Sequence, residues 1–467
     1  MKKILTLLSI LLLLVSCNFN SVLPPEAYID DGTWSGVFKG FWHGMNSNYI
    51  FWNIDSPSYE WDRVYDKYLP KFVSLGSIDY NNKQTTQEAI YLLLELTSEN
   101  LSDGHLSLTV KNGVNDKDTF RFNPLLYKKA KEHSNKALRD IFNEEYSAKE
   151  KESPIYKYLP KEMKEEEAKT ILERTFKIKK DLKAKEHLFL TNIETGLQGS
   201  RWTLSNELDD IFSTWLLIYS PDYQCLLGVT KDNAKINNTS ISANTIYLLT
   251  SAFRFYEYLH PETGAEDYSK EMNDIIAELT KEKQREDISA LILDMRGNIG
   301  GYNSDRNYIF SNLVEENLLF GYQLNKVGNN RLDYSPYIPL YIYKAEGKVS
   351  PLKDKPIIAL VNNYSVSNAE LTALIVKKLP KGVLIGSKTY GATGTLNGDN
   401  KIANAGEFSL GSYITQVYTP YAEIVDENYT SYEGVGIDVD ISVPYTLTTD
   451  KDARLEAAFE YINKQHP

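Results

Sequence analysis

The stretch that decides the fold is LILDMRGNIGG, residues 291–301. It begins inside an apolar strand, residues 288–293, and leads through paired glycines into a helical stretch. A second apolar strand, residues 357–361, passes through a polar turn into a helix at residues 368–379, and residues 383–385 form the next strand. Continuous apolar strands separated by helices are typical of a largely parallel sheet covered on both faces. We therefore predict an α/β core whose functional groups lie where strands end and helices begin.

Two strand-to-helix turns carry the candidate chemistry. Ser367 stands at the start of the second helix, where unpaired N–H groups and the helix dipole favour a developing oxyanion. Gly300 and Gly301 let backbone N–H groups approach a ligand without interference from a side chain. A serine beside bare amides supplies the parts of an acyl-transfer site. A structural alternative stays open, because Ser367 and Glu370 also match a helix capping box and paired glycines often form only a tight turn.

Composition excludes several classes of protein. The chain has 467 residues, of which 42% are hydrophobic and 24% charged, as in a soluble globular protein of two to four domains. Its net charge of −12 makes it a poor binder of polyanions, so no nucleic-acid partner is expected. Six histidines and two cysteines are too few for a Cys-rich zinc site or a disulfide scaffold. Neither a metal nor an organic cofactor is expected.

The start of the chain is typical of an export signal. Two lysines precede an apolar run, residues 4–15, that is too short to span a bilayer of about 30 Å. The run ends at Cys17 in a pattern that resembles the lipobox of bacterial lipoproteins. This resemblance implies a signal peptide at residues 1–16, a lipid on Cys17, a tether at residues 17–24 and membrane attachment in the cell envelope, at the outer membrane or cell surface. The alternative is an ordinary secretory signal with an incidental cysteine.

Three segments are expected after the tether. Residues 25–112 form an N-terminal helical cap, in which the dense aromatic residues are interpreted as a core rather than as a carbohydrate platform. The cap carries His105 at a helix–turn–strand junction. Residues 113–234 form a charged, mostly helical insertion, whose mixed charges are typical of a solvated helical face or, alternatively, of a docking arm. Residues 235–467 form the catalytic core.

Together these motifs resemble the tail-specific, C-terminal processing serine peptidases. The stretches that carry the resemblance are LILDMRGNIGG, similar to D-x-R-x-N-x-G-G; SVSNAE (residues 365–370), similar to S-x-S-x-x-E; GSKTYG (residues 386–391), similar to G-x-x-T-x-G; GVGIDVD (residues 434–440), similar to G-x-G-I-x-P-D; and DGH (residues 103–105), found in the tricorn-like branch. The resemblance implies a ClpP/crotonase-like core that hydrolyses peptides or protein tails.

The same resemblance assigns roles to residues. Ser367 takes the position of the nucleophile and His105 that of the histidine base. The backbone N–H groups of Gly300 and Asn368 would form the oxyanion hole. Glu433, just before the late glycine turn, is the candidate for the glutamate of the tricorn-like branch.

The chain departs from the family pattern at several positions. Ala392 stands where processing peptidases of the dyad type have their catalytic lysine, and Lys388 lies four residues too early to replace it. Gly104 stands where the tricorn-like branch has a bridging serine, and the charged insertion takes the place of a PDZ module. We predict a histidine-base peptidase. The alternative is a catalytically inactive surface lipoprotein that binds peptide or glycan in the same cleft.

Overall fold

The computed structural model describes residues 31–55, 58–115, 118–132, 187–190, 200–203, 212–219, 223–232, 234–236, 239–260, 268–396, 406–443 and 452–465. The expected signal peptide, Cys17 and the tether lie outside the described residues, as does most of the charged stretch expected to be helical. No helix within the described residues is both long and apolar enough to cross a membrane.

The helices in the described residues are α1 (Trp34–Asn48), α2 (Trp52–Asp55), α3 (Ser58–Leu75), α4 (Lys83–Asn100), α5 (Pro124–Glu132), α6 (Phe255–Leu259), α7 (Ser269–Glu282), α8 (Asp305–Phe310), α9 (Asn368–Lys378) and α10 (Ala453–Gln465), with a 3-10 turn at Pro351–Asp354. The strands are β1 (Ser107–Lys111), β2 (Thr119–Phe122), β3 (His187–Leu190), β4 (Ser200–Thr203), β5 (Phe212–Tyr219), β6 (Gln224–Thr230), β7 (Lys235–Ile236), β8 (Thr239–Ser240), β9 (Thr245–Thr250), β10 (Ala290–Asp294), β11 (Leu318–Asn325), β12 (Ile338–Ile342), β13 (Ile357–Val361), β14 (Gly382–Gly386), β15 (Glu407–Leu410), β16 (Ile414–Tyr418), β17 (Ala422–Val425) and β18 (Ile441–Ser442).

The largest described sheet confirms the α/β fold class. Its seven strands run in the order β18-β14-β13-β10-β9-β6-β5, and the five strands from β18 to β9 pair in parallel. Alternate residues of β10 enter different cores: Leu291 and Leu293 pack with α7 and α9, whereas Ala290 and Ile292 pack with α10. Helices on both faces explain why β10 and β13 are buried at every position.

The sheet extends further toward the N-terminus than the sequence indicates. The predicted core begins at residue 235, but β5 and β6, at residues 212–230, join the sheet as antiparallel strands. High charge density marks residues 127–187 of the expected insertion, whereas β6 is apolar and almost wholly buried. The boundary therefore differs because the later part of the segment has the composition of a core strand.

The N-terminal cap is joined to the core by a shared sheet. Its helices bury an aromatic cluster in which Trp34, Phe38 and Tyr49 are fully buried, so these rings serve as a core and not as an exposed platform. The strand β1, which leaves the cap, pairs with β2 on one side and with β16 on the other. This pairing holds the turn that precedes β1, residues 102–106, against the core.

Candidate active site

Ser367 is held in a strained conformation at the start of α9. Its backbone has φ 58° and ψ −120°, a positive φ that side-chain-bearing residues seldom adopt and that clusters at functional sites. Gly300 packs directly against it: a methyl group on Gly300 would lie 2.6 Å from Ser367 Cβ and 3.0 Å from Ser367 Oγ. The structure thus brings together the serine and the glycine turn that the sequence singles out.

The two predicted oxyanion donors differ in availability. The N–H of Asn368 finds no acceptor among the described residues and lies 3.0 Å from where a Gly300 methyl group would stand. By contrast, the N–H of Gly300 donates to Asn298 Oδ1 at 2.8 Å. The Asn368 N–H is therefore available to an oxyanion, whereas the Gly300 N–H is already engaged in this conformation. Sequence reasoning missed the role of Asn298, although this residue is the asparagine of the D-x-R-x-N motif.

Ion pairing and hydrogen bonds hold the glycine turn in place. Arg296 is buried between two carboxylates, pairing with Asp294 at 2.5 Å and with Asp452 at 2.7 Å. Asn298 Nδ2 donates to the carbonyl of Thr250 at 2.8 Å. Since the charged atoms of Arg296 and Asp294 are engaged with each other and with Asp452, we interpret this part of the motif as the support for the turn.

Glu370 ties the serine to the neighbouring loop. Its buried carboxylate accepts from the Ser367 N–H at 3.3 Å, as expected for the capping-box partner. It also accepts from Thr389 Oγ1 at 2.6 Å and from the N–H groups of Gly391 and Ala392 at 2.7 Å each. Burial raises the pKa of this carboxyl group. The capping alternative and the catalytic interpretation are therefore compatible, because the cap itself positions Ser367 beside the 389–392 loop.

The two departures from the family pattern contact each other. A methyl group on Gly104 would lie 2.4 Å from Ala392 Cβ and 2.6 Å from the carbonyl oxygen of Gly391. Ala392 is fully buried. The site therefore has no room for a serine at 104 or for a lysine at 392. Lys388 does not replace the missing lysine, because its side chain is 44% exposed and its ammonium pairs with Asp438 at 3.0 Å.

His105 lies in the turn between α4 and β1 and is half-buried, with its Nδ1 atom enclosed. Within the described residues its Nδ1 has no hydrogen-bond partner. Burial lowers the pKa of His105 to about 4, because the low-dielectric surroundings disfavour the charged imidazolium. The ring is therefore neutral at pH 7, which is the state that can accept a proton from a serine hydroxyl.

Two buried carboxyl groups accompany His105. Asp103 accepts from the N–H of His105 at 2.7 Å and from Thr419 Oγ1 at 2.6 Å. Glu433 accepts from the N–H of Gly104 at 2.7 Å. Burial raises the pKa of Asp103 to about 7, and burial together with the nearby charge of Asp103 raises the pKa of Glu433. The Gly104 amide thus connects the histidine turn to Glu433 where the family pattern has a serine.

Asp103, His105 and Glu433 are residue types that bind cations, but their carboxylate oxygens are already occupied by hydrogen bonds. One side-chain atom each from Asp103, His105 and Glu433 lie within 4.8 Å of one another. However, the carboxylate oxygens already accept hydrogen bonds, including those from the N–H groups of Leu106 at 2.9 Å and Thr393 at 2.7 Å. Carboxylates that are already engaged by backbone N–H groups fit a hydrogen-bonded turn better than a metal centre.

The 389–394 loop contacts both halves of the candidate site. On one side Ala392 donates to Glu370, whose carboxylate also accepts from Ser367. On the other side the same loop packs on Gly104 and donates to Glu433 through Thr393 and Gly394. Ser367 and the His105 turn are therefore linked through one loop.

Comparison with known proteins identifies the domain that holds Ser367. The model of Peptidase family S41 matches residues 255–443. A putative tricorn-like protease C-terminal subunit from Sulfurisphaera tokodaii is 27% identical over 180 residues, which are 38% of this chain and 18% of the relative. The tricorn protease homolog of Saccharolobus solfataricus is 26% identical over 182 residues, 38% of this chain and 14% of the relative.

A solved structure shows the same fold over most of the chain. A putative peptidase from Parabacteroides merdae superposes with a TM-score of 0.51 at 19% identity, covering 91% of this chain and 95% of the other. The matched family region includes Gly300, Ser367 and Glu433, while His105 lies outside it. Residues 255–443 of the chain therefore match a Peptidase family S41 domain.

Proposed function

We propose that this chain is a serine peptidase that hydrolyses peptides or protein tails, with Ser367 as nucleophile and His105 as base. The observation that carries the proposal is the contact of Gly300 with Ser367 at the start of α9, beside the unpaired N–H of Asn368. A strained serine next to a free amide is the arrangement that acyl transfer needs. Family S41 membership of this domain supports the reaction class.

The proposed mechanism assigns one role to each of these groups. Neutral His105 removes the proton from the Ser367 hydroxyl, and the hydroxyl oxygen attacks the carbonyl carbon of the peptide bond. The Asn368 N–H then donates to the oxyanion, a contact worth about 3–4 kcal/mol of transition-state stabilisation. The carboxyl groups of Asp103 and Glu433 stabilise the imidazolium, which returns its proton to the leaving amine. Water completes the cycle by hydrolysing the acyl-enzyme.

The proposed setting is the cell envelope. The lipobox-like pattern that ends at Cys17 supports attachment to a membrane through lipid on that cysteine, at the outer membrane or the cell surface. A peptide or protein would then be the substrate, and the net charge of −12 disfavours nucleic acid as a partner.

One observation favours the second candidate, an inactive binding protein. The Gly300 N–H is engaged by Asn298, so the predicted pair of oxyanion donors is incomplete in this conformation. Such a protein would bind peptide or glycan in the same cleft without cleaving it.

Labelling with a fluorophosphonate probe distinguishes the two candidates. The peptidase should be labelled and should lose the label in Ser367→Ala, while Ser74→Ala, which changes an exposed serine on α3, should retain it. If the folded wild-type protein neither takes the label nor cleaves peptides but binds them saturably, the binding function is correct instead.

A further inference from the structure

Exposed apolar side chains flank the glycine turn beside Ser367. Ile299 is 59% exposed and Tyr302 is 40% exposed, and the two stand on either side of Gly300 and Gly301. The Tyr302 ring contacts that of Tyr256, which is 36% exposed, with a centroid separation of 5.6 Å. Tyr256 in turn stacks on His260 at 4.1 Å. We call these four residues the apolar strip.

The strip adjoins the nucleophile. Asn368, which follows Ser367, donates through Nδ2 to the carbonyl oxygen of Tyr302 at 2.8 Å. Because Gly300 packs on Ser367 itself, Ile299 and Tyr302 lie within two residues of that contact along the chain. We therefore expect a peptide whose carbonyl reaches Ser367 to pass beside the strip.

Backbone hydrogen bonds keep the strip rigid. Phe253 donates to the Gly300 carbonyl at 2.7 Å and accepts from the Tyr302 N–H at 2.9 Å. The buried carboxylate of Asp305 accepts from the N–H of Tyr256 at 2.9 Å, which holds the start of α6 against the segment after the glycine turn. A surface that is ordered before the ligand arrives loses little entropy when it binds.

The chemistry of the strip selects an uncharged ligand. The neighbouring charges, Arg254 and Glu257, pair with each other at 3.8 Å. The face presented beside the serine therefore consists of one aliphatic and two phenol side chains with a stacked imidazole. Single exposed apolar residues are common, but a group of them that adjoins a candidate nucleophile indicates a binding surface.

We propose that the apolar strip binds an apolar or aromatic side chain of the peptide substrate next to the bond that Ser367 cleaves. This inference rests on the proposed peptidase function and deepens it by stating the substrate class. We assign the strip to a segment of the substrate because the strip is continuous with the glycine turn of the candidate active site.

The test compares two fluorogenic peptides that differ only in having phenylalanine or serine next to the cleaved bond. The wild-type protein should prefer the phenylalanine peptide by at least about tenfold in kcat/KM, and Tyr302→Ala should remove most of that preference. Tyr302→Phe should restore it. Tyr343→Ala is the matched control, since it removes a tyrosine that is 60% exposed just after β12, in a different sheet, and should keep the wild-type ratio.

Other outcomes overturn the inference. An unchanged ratio in Tyr302→Ala, or equal turnover of both peptides by the wild-type protein, excludes selection by the strip. If the wild-type protein is neither labelled nor active, the proposed function has failed by itself, and fluorescence anisotropy then tests the strip. Tighter binding of the phenylalanine peptide that is lost in Tyr302→Ala supports the strip, whereas equal binding of both peptides refutes it.

Discussion

Replacing Gly300 by alanine adds one carbon atom to the glycine turn and so tests the catalytic role of that turn. The added Cβ would lie 2.6 Å from Ser367 Cβ and 3.0 Å from both Ser367 Oγ and the nitrogen of Asn368. The first distance is closer than two carbon atoms tolerate, so either the turn or the serine must move. The atoms that would be displaced are the proposed nucleophile and the proposed oxyanion donor.

Two costs can be separated in this variant. Alanine at φ +91° is strained, which lowers the free energy of unfolding by about 1–3 kcal/mol. Displacement of reacting groups by about 1 Å lowers turnover roughly a hundredfold, equivalent to about 2.7 kcal/mol in the activation barrier. We therefore expect Gly300→Ala to remain folded at 25 °C and to lose at least about a hundredfold in kcat.

Gly347→Ala is a matched control for the backbone cost. Gly347 has φ +98°, and a methyl group there would meet nothing within 4 Å. Both variants should show similar decreases in melting temperature, measured by circular dichroism, but only Gly300→Ala should lose peptide hydrolysis and fluorophosphonate labelling. If Gly300→Ala keeps kcat within tenfold of wild type, or loses activity only in proportion to stability, the catalytic interpretation of the turn is refuted.

Three further predictions concern activation and location. His105→Ala should abolish peptide turnover, whereas Lys388→Ala, which removes an exposed ion pair, should keep it within about tenfold; an inactive but folded Lys388→Ala protein would favour a lysine base. The kcat/KM profile should fall with decreasing pH near 7, where the Asp103 carboxylate that stabilises imidazolium takes up a proton, and again near 4, where His105 itself is protonated. Asp103→Asn should lose only the upper limb, and a limb near 6.5 that persists in this variant would belong to His105 instead. Metabolic labelling with a fatty acid should mark the wild-type protein but not Cys17→Ser, and an unlabelled wild type would exclude the lipid anchor.

Local sequence pattern accounts for the elements that position Ser367. The strand predicted at residues 357–361 has those bounds in the structure, because an apolar run between polar breakers can only be buried. The contact of Gly300 with Ser367 could also be anticipated, since β10 and β13 are parallel neighbours whose carboxyl ends lie at one edge of the sheet. Motif spacing and sheet topology are enough to bring these two turns together.

Contacts between distant segments could not be read in the same way. The hydrogen bond from Gly300 to Asn298 depends on the exact path of the turn, and residue types do not determine it. The strands β5 and β6 pair with the main sheet. The charged stretch before them hides this pairing, because it makes the whole segment up to residue 234 look like one insertion. Sequence pattern reports which surface a segment buries but not which partner covers it.

The contact between Gly104 and Ala392 shows why two departures from the family pattern occur together. Considered separately, each removes a catalytic group: the bridging serine in one case, the dyad lysine in the other. In the structure Ala392 occupies the space that a side chain at position 104 would need. A larger residue at either position would therefore push the histidine turn away from the 389–394 loop. With that turn in place, the Gly104 N–H reaches Glu433 directly at 2.7 Å. The close packing that excludes a lysine at 392 therefore also brings the histidine turn to Glu433, as the proposed histidine-based site requires.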